Sequence, residues 1–168
     1  MKLSMYEATV PPFIRSLESL AAVLEKAAAH CEAKKIDPAV LVGARLYPDM
    51  FPLAKQVQIA ADAAKGGSGR IAQVEPPAFE DNEVTFADLV ARLRKTVEFL
   101  KTLDAAKFEG AEDRTCTWKT RKGEKSMQGM PYLLTHVTPN FNFHLTTAYA
   151  ILRHNGVEIG KGDFLGTR

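Results

Sequence analysis

Apolar residues return at three- and four-residue steps in four separate stretches of this chain, and a chain patterned that way must bury helix faces against one another. In the first stretch Phe13, Leu17, Leu20, Leu24 and Ala28 recur at this spacing, which predicts a helix to about Lys34 with Pro11 and Pro12 in its first turn. Asp37-Pro38 then reads as an N-cap and first helical residue of a short connector closed by Gly43. A second long helix is expected from Pro48-Asp49-Met50 through Leu53, Val57, Ala60 and Ala64, with a break at Gly66 to Gly69 and a brief restart before Pro76-Pro77. After an acidic loop from Ala78 to Val84, Thr85 and Asp88 form a capping-box signature ahead of a third helix from Phe86 to Leu103.

Between Arg114 and Gln128 the period changes to alternation, which predicts a short hairpin with Arg121-Lys122 at its tip as a solvated turn. Two strands alone are marginal in water, so Trp118 and Met127 are expected to pack on the helices. The last helix is read from Pro131 to His154, kinked or restarted at Pro139, with Asn155-Gly156 as a left-handed C-cap and Val157 making its hydrophobic contact. The fold expected is all-α: one domain over residues 1–168, a four-helix bundle with a small β-hairpin between the third and fourth long helices.

The 168 residues suffice to bury a core without disulfide or metal staples, so any metal would serve function rather than folding. A net charge of +2 leaves no global electrostatic pull toward nucleic acid or an anionic membrane, and neither partner is expected. Cys31 and Cys116 have no metal-ligand or redox spacing and are read as free thiols of a reducing compartment. Glu7 and Pro11-Pro12 interrupt any leader-like run near Met1, and a cytoplasmic location is the expectation.

The chemistry-bearing residues concentrate in the last helix. His136, Asn140 and His144 stand at successive four-residue steps and would align on one face of an unbroken helix. His144 is the candidate catalytic group, as a proton acceptor or weak metal ligand, and Asn140, His136, Gln56 and Gln58 are the candidate ligand-binding residues. The alternative is structural: His144 hydrogen-bonds inside the bundle, His136 caps or lines a cleft, and Asn140 and Asn142 serve backbone groups freed by Pro139. Asp49, Lys55 and Asp62 are the other polar residues of helix two that could complete a shared cavity. Gln56 and Gln58, two residues apart, should not both face inward. Tyr132, Tyr149 and Trp118 are read as core residues that could also rim a pocket, and Cys116 as a packed strand thiol.

Leu46-Tyr47-Pro48-Asp49-Met50, Gln56-Val57-Gln58, Pro139 to His144, Thr147 to Val157 and Asp163-Phe164-Leu165-Gly166 together resemble an uncharacterised family related to the DinB/YfiT-like bundles. That resemblance covers essentially the whole chain. It implies a four-helix bundle, often dimeric, in which a divalent metal such as Ni or Zn is held by one histidine of the second helix and a His-x-x-x-His pair of the last. His144 matches the second member of that pair, Asn140 stands at the first, and helix two has no histidine. The expected function is therefore small-molecule binding or catalysis in an inter-helix cleft near His144, with a degenerate metal site and no cofactor. The alternatives are a homodimeric interaction module and a divalent-metal-dependent transferase or hydrolase.

Overall fold

Ser4 opens the first helix, accepting from the Glu7 amide while the Glu7 carboxylate accepts from the Ser4 amide, so two orphan donors are satisfied at once. Helix α1 thus spans Met5–Lys34 and begins two turns before the expected start. Pro11 and Pro12 lie inside it rather than in its first turn. Both are exposed, so water can serve the Glu7 and Ala8 carbonyls that lose their helical donors.

The computed structural model describes residues 3–120 and 123–167; Arg121 and Lys122 of the expected hairpin tip lie outside the described residues. Helix α2, Pro38–Val42, is capped by Asp37 as expected. Helix α3, Leu53–Ala72, starts after Pro52 rather than at Pro48, because a residue preceding proline is disfavoured in helical geometry and Phe51 precedes Pro52.

Gly66 to Gly69 do not break α3; the helix continues through them. Their lack of side chains brings neighbouring structure close: a Cβ on Gly67 would lie 2.3 Å from Val137 Cγ1, and one on Gly69 2.7 Å from the Val74 carbonyl oxygen. Glycine here is a packing requirement that outweighs its low helix propensity.

Helix α4, Phe86–Lys101, carries the predicted Thr85/Asp88 capping box. A short 3₁₀ turn, Ala105–Phe108, leads to strands β1, Thr115–Thr120, and β2, Gly123–Gln128, antiparallel with Cys116 opposite Met127 and Trp118 opposite Lys125. Alternation buries Cys116 and Trp118 on one face of β1.

The last helical run begins at Gly129, not Pro131. It comprises α5, Gly129–Tyr132, a π-helical turn over Leu133–Val137, and α6, Thr138–His154. Pro139 lacks the amide that a regular helix would aim at the Thr135 carbonyl, and the helix answers by widening the preceding turn so that the Thr138 amide reaches the Leu133 carbonyl. One extra residue turns the chain about 100° further around the axis, so the residues on either side of the turn no longer keep one register. Gly156, at φ +88°, ends α6; the Val157 amide reaches the Leu152 carbonyl and Val157 is buried, as predicted. Helix α7, Lys161–Phe164, is tied to α1 by Lys26 and Asp163.

The protein is mostly helical with one two-stranded antiparallel sheet. Of the long helices, α1 packs along α4 and α3 along α6, while α4 also meets α3 and α1 meets α6. One apolar core runs through all four, and among the described residues no helix is long and apolar enough to cross a membrane. Because Val137 is buried and short, it has no room to yield to a methyl group. Gly67→Ala should lower stability by about 1–3 kcal/mol in urea unfolding, and adding Val137→Ala should recover part of that loss. A net stabilisation by Gly67→Ala would contradict the packing role.

Candidate functional site

The seam between α3 and the last helical run holds two imidazoles in different surroundings. His144, on α6, is 8% exposed, and its Nδ1 lies 2.6 Å from Oε1 of Gln56 on α3. Nε2 of the same amide donates to the Phe51 carbonyl at 3.0 Å, which orients the amide and leaves Oε1 toward the ring. The His144 Nδ1 therefore carries the proton and Nε2 the lone pair. Burial pushes the His144 pKa below its ordinary value, favouring the neutral ring.

One predicted arrangement is not what the structure builds. Asn140 and His136 line a cavity of about 200 Å³, but His144 is not among its lining residues. His136, in the π turn, and Asn140, just after it, still share the cavity, whereas the hydrogen bond to Gln56 closes His144 into the seam. Gln56 and Gln58 point to different sides of α3, and both are buried because the acidic loop covers the side of Gln58. Gln58 Nε2 donates to Glu83 there and takes no part in the cavity.

Arg92 of α4 holds that loop. Its side chain is 1% exposed and contacts Asp62 at 2.9 Å, Asp81 at 3.0 Å, Glu83 at 2.8 Å and the Glu80 carbonyl at 3.0 Å. Lys65 adds a hydrogen bond to the Pro77 carbonyl and lies over the Phe79 ring. Burial raises the Glu83 pKa, but the hydrogen bond from Arg92, with further help from Gln58, brings it below the usual value.

The cavity opens on the other side of Asp62. Helix α3 supplies Asp62, Gly67 and Arg70, β1 supplies Trp118, and the last run supplies Tyr132, His136 and Asn140. His136, partly buried, stacks on Trp118 with ring centroids 4.7 Å apart and 28° between planes, and on Tyr132 at 5.5 Å and 25°. Trp118 and Tyr132 are thus core residues and cavity walls together. Arg70 Nη1 reaches the Tyr132 hydroxyl at 3.3 Å and makes no ion pair among the described residues. The buried indole N–H of Trp118 also has no partner among the described residues.

Burial lowers the His136 pKa, reinforced by Lys125 and Arg70, so this imidazole too favours its neutral form. Burial raises the Tyr132 pKa against the opposing charge of Arg70, keeping the phenol protonated. The Cys116 thiol is likewise raised by burial, as suits a packed strand cysteine. The arrangement offers a neutral imidazole as acceptor, an amide, a phenol and one guanidinium beside flat apolar walls. Arg70 was missed because the glycines before it suggested a break; had α3 been read as continuous, Asp62, Gly66 and Arg70 would have shared a face.

The donor set does not fit a divalent metal held in the manner of the DinB-like proteins. At the matching positions of the last helix stand one imidazole and the neutral amide of Asn140, and the second long helix brings no histidine but the neutral amide of Gln56 beside that ring. Among the described residues no three His, Cys, Asp or Glu side chains form a group that could hold a metal ion.

Residues 5–165 match a family described as a domain of unknown function, DUF1993. The chain belongs to that family. It is also similar to a solved structure described as a DinB family member protein from Shewanella denitrificans, at 42% identity and a TM-score of 0.90, with 97% of this chain and 92% of that chain covered. No curated protein matches the chain. The family is thus DinB-like and uncharacterised, as the sequence motifs implied.

Both histidines have folded-state pKa values lowered from 6.5, so on acidification the unfolded chain takes up protons first and stability falls as pH drops through that window. The melting temperature should fall between about pH 7.5 and 5.5, and His144→Gln should flatten the slope by removing one such group. A melting temperature independent of pH over that range would contradict the neutral assignments.

Proposed function

We propose that this DinB-like protein binds or acts on a small molecule in the cavity between α3 and the last helical run, within a four-helix bundle formed by α1, α3, α4 and α6. The observation that carries the reading is the stacked wall of Trp118, His136 and Tyr132 beside Arg70, which has no ion pair among the described residues. A concave, partly apolar site with a few convergent polar groups is the ordinary form of a small-molecule site. His136 is the acceptor, and the general base if the bound molecule reacts, because its ring is neutral and lines the cavity. His144 supports the site from one side by holding α6 to α3 through Gln56. No metal-dependent step is derived, since the donors at the matching positions do not suit one.

The chain has one tryptophan, so its intrinsic indole fluorescence reports this wall alone. In a fragment screen, bound compounds should change Trp118 emission and shift the amide resonances of His136 and Asn140, and His136→Ala should weaken binding roughly tenfold or more. Fragment shifts clustered elsewhere on the protein would overturn the reading.

A second reading, self-association as a homodimer, is favoured by one surface feature. Leu46 and Phe143 are exposed and share an open apolar groove with Pro139 and Ala150. Light scattering on the intact chain should give twice the monomer mass, and Phe143→Glu should return the monomer. A monomer at high concentration would remove this reading.

A further inference from the structure

We propose that the ligand of the cavity is a small planar monocarboxylate, with its negative group toward Arg70 and its flat apolar part against the aromatic wall. The proposal rests on the reading of this cavity as a small-molecule site and adds the ligand's class.

Charge at the cavity decides the sign of the ligand. Asp62 is the acidic residue lining it, and that carboxylate is already matched by Arg92 at 2.9 Å and Lys65 at 3.2 Å. Those two cations balance the Asp62 charge and weaken its pull on a cationic ligand. Arg70 is exposed at the cavity mouth, hydrogen-bonds the neutral Tyr132 phenol and has no ion pair among the described residues, so its charge is available. Guanidinium binds carboxylate through two parallel N–H donors, the best use of its planar geometry. His136 keeps its neutral form and adds no second positive charge, which favours a monoanion over a dianion.

Neutral donors and volume define the rest. The Tyr132 hydroxyl, which accepts from Arg70, keeps a hydrogen to donate to a ligand oxygen. The Asn140 amide can donate to the same oxygen or accept from a ligand hydroxyl. An apolar cavity of roughly 150 Å³ accepts a benzene ring; the present space of about 200 Å³ therefore admits one ring and a carboxyl group but little more.

Isothermal titration with benzoate, benzamide and benzylamine at one ionic strength tests the class, with two-dimensional NMR locating each probe. Benzoate should bind roughly tenfold or more tightly than benzamide, with shifts at His136 and Asn140, and benzylamine should bind least. Arg70→Gln, with an unchanged melting curve, should erase the preference for benzoate, and Arg70→Lys should restore part of it. Equal binding of benzoate and benzamide at His136, or a preference that survives Arg70→Gln, would overturn the carboxylate assignment and leave the cavity reading standing. Absence of any shift at His136 from these probes and from the wider fragment screen would overturn both.

Discussion

The closeness of α3 to the last helical run is the constraint on which the rest of the structure depends. It is possible because Gly67 presents no side chain to Val137, and it is held one side further along by the Gln56 to His144 hydrogen bond. The π turn that ends at Val137 follows the short helix α5, whose Tyr132 packs with His136 against Trp118 of β1. Such π turns cost helix regularity.

The opposite side of α3 is secured by different chemistry. Arg92 gathers carboxylates of α3 and the acidic loop around one guanidinium, and the buried group is served by acids and a carbonyl rather than by water. This clamp reaches the cavity through Asp62, whose charge it neutralises, so the cluster that pins the loop also sets the sign of the cavity field. Packing, loop anchoring and the charge balance of the cavity are therefore parts of one connected arrangement around α3.

Much of the helical architecture was legible. The Thr85/Asp88 box, the Asp37-Pro38 start, the alternation around Trp118 and the Asn155-Gly156-Val157 ending each express local rules that packing left intact. The Ser4/Glu7 box that starts α1 follows the same local rule, and Pro11 and Pro12 are tolerated inside the helix because they lie on its exposed face. The glycines of α3 suggest a break because propensity is local, whereas the residue that requires Gly67, Val137, lies far away in the chain. The same kind of distance hid the site. His136, Asn140 and His144 stand out in the sequence as polar residues of the last helix, but neither the pairing of His144 with Gln56 nor the loop that buries Gln58 can be read from four-residue spacing.

The account turns on one seam holding two neutral imidazoles, one closed and one open. Nitrogen-15 spectra of the histidine side chains across pH test this directly. The account predicts His144 as the Nδ1–H tautomer, unperturbed by cavity ligands, and His136 as a separate ring that responds to them, with both titrating below the ordinary value of 6.5. A His144 ring protonated on Nε2, or either ring titrating at or above 6.5, would contradict it.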